Sequence, residues 1–451
     1  MPARNLLFLI VITVSCLLSR VVVEHTRDTR RVGEVIDAVA GQAITGPSRE
    51  QLVDAAIDGM LRPLGDEAEH IPFPAAPVTA DTTPGRVFGG VGVDLTIETA
   101  DPEDLPRVVA TLPGSPARKA GLARGDCILA IDGMPARGCT LAWAVSHLRG
   151  VPGSHVTIDL LPAASLDGEH APAAGRGGPR RSVELVRQQI VRELVLGDRR
   201  TAEGSWQWRL INQPSIALFR VPCCERGTAE NLAAAIDAAT SADVTAAHGP
   251  LAGAVVDLRG NASGTLAEAV AICDLLLGEG TIVSVEGRAV SGGRRQMIAV
   301  HRATASAMLD EIPLAVLVDG LTAGAAEVIA ACLQDHGRGR IAGSRTRGEG
   351  VERTLIPLRE SNSAIRLPTA AYIRPSGSAI HRRLDAGPRE GWGVVPDAGL
   401  EVTPTGESQA RLSRWRLLTD SATLPDAEAA EVSPPSDPVL ARAVAALADG
   451  T

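Results

Sequence analysis

The chain has 451 residues, of which 45% are apolar, enough for two or three domains with sizeable cores. Its formal net charge of −9 excludes a general nucleic-acid binder, because phosphate recognition rests on clustered Lys and Arg. Aromatic residues make up 2% of the chain, so aliphatic side chains and Ala must fill the cores.

The chain opens with Arg4, an apolar run from Leu6 to Leu18 broken by Thr13 and Ser15, and then Arg20. A positive segment followed by a short apolar one marks a secretory signal or an uncleaved anchor. No clean small-x-small cleavage site follows it. Residues 1–23 are therefore expected to anchor an exported chain in the cell membrane, on the periplasmic side. Residues 24–85 carry helical periodicity (Val32, Val35, Ile36 and Val39, then Leu52, Ala55, Ala56, Met60 and Leu61) and end in a proline-rich loop from 65 to 85. Pro47-Ser48 divides the two helical runs, with Ser48 as the cap.

From residue 86 to 196 the pattern turns to short strands: Val91, Val93 and Leu95; Val108 and Ala110; Ile128 and Ile131; Val156, Ile158 and Leu160. A helix fits from Leu141 to Leu148. Residues 163–180, rich in Ala, Gly, Pro and Arg, read as an inserted loop. Between 197 and 402 strands and helices interleave. Strands are expected at 216–219, 252–258 and 314–318, and helices at 228–239, 265–277 and 323–333, the pattern of a parallel α/β layer. Residues 403–436, rich in Pro, Ser and acidic side chains, read as a linker, and a short amphipathic helix follows over Val439–Leu447.

The seven cysteines, among them the adjacent Cys223 and Cys224, form no paired CxxC pattern. They read as small buried apolar residues, and neither a metal nor a cofactor is expected.

Several segments, in order, resemble the carboxy-terminal processing (tail-specific) serine protease family. Phe88-Gly89-Gly90-Val91-Gly92-Val93, Gly114 to Leu122, Gly125-Asp126 and Leu148-Arg149-Gly150 resemble its PDZ domain. Val256 to Gly264 is similar to its Asp-Leu-Arg-Asn-Asn-Pro-Gly-Gly turn. Leu333 to His336, Ile341-Ala342-Gly343, Pro375-Ser376-Gly377 and Gly393 to Asp397 match later turns. The resemblance spans roughly residues 31 to 400. It implies a mixed α/β fold: a ClpP/crotonase-like protease core with an inserted PDZ-like β-domain and an N-terminal helical segment.

The family's peptidases pair a serine nucleophile, in a Ser-Ala-Ser-Ala-Ser-Glu run, with a lysine general base. A desolvated lysine can lose its charge and accept the serine proton. Here the matching run is Thr322-Ala323-Gly324-Ala325-Ala326-Glu327, and Gly324 stands at the nucleophile position. The Gly-Lys-Gly turn is Gly348-Glu349-Gly350, at the same spacing, and Arg353 replaces a following glutamine. Of the 44 cationic residues a single one, Lys119, is lysine, and it lies in the PDZ-like segment. Arginine stays protonated and is no substitute base.

What the resemblance leaves in place is a backbone oxyanion site at Gly264 and Ala325, which needs no particular side chain. An ion pair between Glu349 and Arg353 at i,i+4 spacing is expected to fill the old catalytic space. Thr322 as a displaced nucleophile, or a Ser/His pair drawn from Ser263, His336 and His381, would instead keep the chain active as an unorthodox serine-type endopeptidase. In the PDZ-like segment Gly90, Val91, Gly92 and Val93 are the expected peptide-binding residues. The expected partners are protein C-terminal tails or unfolded polypeptide, a protease, and the membrane through the N-terminal segment. The expected function is binding without cutting. A structural adaptor whose PDZ-like segment binds nothing is the remaining alternative.

Overall fold

The computed structural model describes residues 27–44, 46–71, 87–97, 105–112, 114–162, 180–191, 193–201, 204–288, 295–304, 307–358, 363–383, 386–387, 390–421 and 434–448. The expected anchor at 1–23 lies outside them, as does all but the last residue of the loop 163–180. Among the described residues no helix is long and apolar enough to cross a membrane.

The chain divides into two compact units. The first comprises residues 1–80 and 353–369. Its helices run over 27–42 and Arg49–Leu61. The second starts at a reciprocal capping box, in which the Ser48 hydroxyl accepts the Gln51 N–H and the Gln51 side chain returns to the Ser48 N–H. The stretch expected as loop from residue 65 holds a short strand, Glu69–Ile71, because residues 364–366 offer it an antiparallel partner.

The second unit contains two cores. The first belongs to an antiparallel sheet of Val93–Thr96, Arg107–Thr111, Cys127–Ile131, His155–Leu161 and Arg181–Val186, with Val93–Thr96 on its edge. Alternation buries Val156, Ile158 and Leu160 against Ile128, Ile131 and Val91. The helix Leu141–Leu148 is capped by Thr140, whose hydroxyl takes the Trp143 N–H at 3.1 Å.

The larger core surrounds four parallel strands in the order Gln213–Arg220, Gly253–Asp257, Leu314–Val318, Gly339–Gly343. The two central ones are buried at every position, as expected of strands covered on both faces. Helices Thr228–Thr240, Leu266–Leu276 and Ala325–Asp335 cover one face. The C-terminal helix Pro438–Ala448 covers the other with Val439, Ala443, Ala446 and Leu447. Its start is fixed by Arg259, which bridges Asp257 and Asp437.

The stretch 403–436 is more than a linker: Gly406–Ser421 is a helix. Its polar composition hides three anchors. Trp415 is buried, Arg416 donates to the Asp198 carbonyl at 2.8 Å, and Asp420 receives Arg220 in two hydrogen bonds of 2.6 and 2.8 Å.

Candidate functional site

The strand Leu314–Val318 delivers the chain to a tight loop at its carboxyl end, where open α/β sheets place their ligands. Asp319 organises this loop. Its Oδ1 accepts the N–H groups of Gly260, Leu321 and Thr322, each at 3.0 Å. Thr322 is fully buried, and its hydroxyl lies 2.9 Å from the Leu258 carbonyl and 3.1 Å from Asp319 Oδ1, both acceptors. Thr322 is therefore a bracket between two loops, and its oxygen does not face the cleft.

Two residues on, Gly324 bends the chain into the helix Ala325–Asp335 with φ 61° and ψ −117°, a conformation that L side chains rarely adopt. This is the sharp strand-to-helix bend on which hydrolases present a nucleophile. A Cβ placed at Gly324 meets nothing nearer than the Glu349 carbonyl at 3.9 Å. The space for a side chain is open, and the residue supplies none.

The turn 348–350 is held beside this bend by one carboxylate. Glu327, fully buried in the first turn of the helix, accepts the Gly324 N–H at 3.0 Å, the Gly348 N–H at 2.6 Å, the Glu349 N–H at 2.8 Å and the Thr346 hydroxyl at 2.5 Å. Burial pushes its pKa up, and the four donors pull part of the way back. Glu327 thus joins the two positions that the resemblance assigns to nucleophile and base. The sequence signal was present, since a Glu three residues after a helix cap is a capping-box position.

The helical spacing assumed for a Glu349–Arg353 pair is corrected. Residues 351–358 are strand, so no helical turn sets positions 349 and 353 side by side, and the Glu349 carboxylate lies 3.8 Å from Arg347 Nε. His336 is committed elsewhere. Its Nε2 lies 2.7 Å from the Thr281 carbonyl, at the far end of the helix, about 16 Å from the bend at 1.5 Å per residue. Ser263 is exposed in the loop before Gly264, and the backbone of His381 packs on Gly350.

The loop 258–264 is fastened to the bend through the Ala323 N–H, which donates to the Asn261 carbonyl at 2.9 Å. Gly264 has φ 132°, and a Cβ there would stand 2.2 Å from the Cys224 carbonyl oxygen, so no other residue fits. The neighbours of Gly264 make the bonds to Cys224: the Cys224 N–H goes to Ser263 O and the Thr265 N–H to Cys224 O. In such a parallel bridge the N–H of Gly264 itself faces away. Among the described residues neither the Gly264 nor the Ala325 N–H is taken by a backbone carbonyl. Ala325 also opens an eleven-residue helix, whose dipole adds positive potential at its N–H. Cys224 lines the underside of this loop, and both it and Cys223 are buried. Burial pushes the Cys224 thiol up to about 12, which leaves it inert as a nucleophile. Among the described residues no cluster of side chains is arranged to hold a metal ion.

A second concave site lies in the PDZ-like sheet. A cavity of about 470 Å³ is lined by Phe88, Val91, Val93, Leu95, Val145 and Leu148, among others, between the edge strand and the helix Leu141–Leu148. The Val91 carbonyl accepts the Ala117 N–H and the Gly92 carbonyl the Leu112 N–H, both at 3.0 Å. In a trans peptide the N–H opposes the preceding carbonyl, so the N–H groups of Gly92 and Val93 point away from those partners, on the open side of the strand. Gly92 holds φ 72°, and a Cβ there would collide with Ser115. The expected binding residues Val91, Gly92 and Val93 are thus together at the groove. Gly90 lines it too, while pairing with Gln188 in a two-stranded ladder. The outer wall of the cavity is Leu196, Arg200, Pro222 and Asp420, which the sequence did not point to.

Residues 215–399 match Peptidase family S41, and residues 107–161 match a PDZ domain. The chain is similar to a carboxy-terminal-processing protease of Bartonella bacilliformis, 33% identical over 371 residues, which are 82% of this chain and 74% of the relative. It is also 31% identical over 325 residues to a chloroplastic C-terminal processing peptidase of Tetradesmus obliquus, covering 72% of this chain and 62% of the relative. Among solved structures, the photosystem II D1 C-terminal processing protease is similar at 27% identity and a TM-score of 0.42, over 83% of this chain and 92% of that one. The chain belongs to the carboxy-terminal-processing protease family, peptidase family S41, and carries its PDZ domain.

Proposed function

We propose that this family member binds polypeptide C-terminal tails in its PDZ groove and does not cut them. The observation that carries the reading is Gly324. The bend, the two backbone donors and the loop at 348–350 are assembled, yet the residue at the bend has no side chain and its counterpart at 349 is an acid. An acyl-transfer mechanism needs a hydroxyl or thiol nucleophile beside a proton acceptor. The competing reading, an active endopeptidase with a displaced nucleophile, has Thr322 as the hydroxyl it names beside the bend, and that oxygen is buried between two acceptors.

Residues 1–23 hold the protein on the periplasmic side of the membrane, where it presents captured tails to a protease partner. Support for this placement is the charged-apolar-charged pattern of the N-terminus. Membrane fractionation with external protease treatment tests it. A chain found in the soluble cytoplasmic fraction would refute it.

The test of the main reading uses the full-length protein with an unfolded substrate and with a tailed one. The wild type leaves both intact, and Gly324→Ser combined with Glu349→Lys gains cleavage. Cleavage by the wild type that survives Thr322→Ala and disappears with Glu349→Gln sinks the reading. Peptides ending in a free carboxylate bind the wild type, and Val93→Asp removes that binding.

A further inference from the structure

A cavity of about 370 Å³ opens at the edge of the core sheet, in a part of the molecule that neither site above uses. It is lined by the edge strand Arg209–Leu210 and by Trp208, Ile211, Pro214, Ala238 and Val244. Ala238 belongs to the helix Thr228–Thr240 and Val244 to the next one, Ala242–His248. Trp208 packs against Phe219 of the core, with ring centres 6.2 Å apart, so the aromatic wall is in place before any ligand arrives. The volume falls in the range of about 300–1,000 Å³ usual for small-molecule pockets, and the largely apolar lining fits one too. The cavity shares no lining residue with the PDZ groove. Its strand lies three places across the sheet from Leu314–Val318, which is about 14 Å at the usual strand spacing.

One lining side chain is out of keeping with the rest. Arg209 is 6% exposed, and a buried guanidinium is costly unless its charge is met. Its Nε donates to the Ala239 carbonyl at 2.9 Å, and its Nη1 donates to the Gly249 and Pro214 carbonyls at 2.7 and 3.2 Å. These bonds staple the ends of the two helices to the edge strand. Nη2 has the Thr245 hydroxyl alone, at 3.5 Å. A guanidinium carries five N–H donors, so the staple leaves Nη2 with one donor unused and the other at the limit of a hydrogen bond. Among the described residues no carboxylate pairs with Arg209, and no acid lines the cavity. Asp198, which accepts the Ile211 N–H at 3.2 Å, lies 3.7 Å from Arg416.

We infer that this cavity binds a carboxylate carried on a compact apolar body. Arg209 takes the carboxylate through Nη2, and the Trp208, Ile211 and Val244 walls take the body. A hydrogen bond between two charged groups is stronger than a neutral one, and the anion completes a charge that carbonyl dipoles meet only in part. Two sources offer this chemistry: a free aryl or alkyl carboxylic acid, and the last residue of a polypeptide that ends in an apolar side chain. The inference does not depend on the PDZ groove.

The experiment uses the full-length protein carrying Val93→Asp, in lipid nanodiscs, so that the groove does not contribute. It is titrated by calorimetry with 4-phenylbutanoate and with 4-phenylbutanamide, the same body without the charge. The acid binds at one site, about tenfold or more tightly than the amide. Ala238→Phe, at an exposed helix position, fills the cavity without touching any partner of Arg209, and it removes the binding of both. Arg209→Lys keeps the charge, loses the fork and narrows the advantage of the acid to a few-fold. Should that variant fail to fold, the Ala238→Phe arm decides alone. A heptapeptide ending in Leu, added in competition, separates the sources. Displacement of the acid assigns the site to chain ends, and no displacement assigns it to free acids.

Equal binding of acid and amide overturns the inference. So does acid binding that survives Ala238→Phe, or the absence of binding at acid concentrations up to about 10 mM. Failure here leaves the PDZ reading standing, since the groove is tested with Val93 in place.

Discussion

The PDZ groove and the Gly324 bend lie in one compact unit and have kept different things. The groove keeps both its backbone donors, at Gly92 and Val93, and its apolar wall of Val91, Leu95, Val145 and Leu148. The bend keeps its backbone alone: the unusual dihedrals of Gly324, the donors at Ala325 and Gly264, and the Glu327 clamp. Groups supplied by the main chain are fixed by hydrogen bonding throughout the fold and survive a change of side chain. A nucleophile and its base are two side chains, so two substitutions suffice to remove them, and on the function proposed above Gly324 and Glu349 are those two. The same geometry is therefore consistent with catalysis in relatives and with binding in this chain, and the fold does not choose between them.

The comparison can be broken by attacking the frame and the groove in turn. The largest effect is expected at Gly264→Ala, where a methyl group must enter 2.2 Å from a backbone oxygen at positive φ. Thermal unfolding should report a loss of about 3 kcal/mol or more. A stable variant would show that the 258–264 loop is soft and that its donor is not preset. Val93→Asp comes next. A carboxylate in the apolar wall should weaken binding of a free-carboxylate peptide on the order of 100-fold in anisotropy titrations, with little change in melting temperature. Gly324→Ser is milder still. The Cβ has room, so the expected cost in chemical denaturation is the dihedral strain of about 1–3 kcal/mol. A cost near zero would mean that the bend relaxes, and the restored dyad would then be misplaced.

Much of this was legible before any coordinates, for physical reasons that differ by element. The strands Gly253–Asp257 and Leu314–Val318 announce themselves as apolar runs because both faces are covered. The bend was located by motif and spacing, and its glycine was visible as a missing side chain. The helix Gly406–Ser421 was hidden because long-range contacts hold it: a buried Trp415 and the Arg220–Asp420 pair, 200 residues apart in sequence. The helical spacing assumed for Glu349 and Arg353 did not hold, because i,i+4 reasoning presumes a helix and the chain there turns into a strand.

The smallest effects come from the two acids of the bend's own helix, and they have opposite signs. At its far end, burial alone would raise Asp335. Its hydrogen bonds and charge contact with Arg374 outweigh this and leave its pKa below the ordinary value. Its stabilising contribution is complete above about pH 4 and drains away as pH falls through the lowered folded value. At the near end, burial leaves Glu327 raised despite its four donors. Its protonated form is favoured by folding, so that contribution is full below about pH 4 and is lost as pH climbs through the raised value. Unfolding followed from pH 3 to pH 7 should therefore separate two variants. Relative to wild type, Asp335→Asn loses most at neutral pH and least in acid. Glu327→Gln loses most in acid and recovers ground as pH rises. Should Glu327→Gln instead lose ground steadily toward neutrality, the four donors outweigh burial. The clamp joining Gly324 to the 348–350 turn would then be a true carboxylate site, as firmly charged as Asp335.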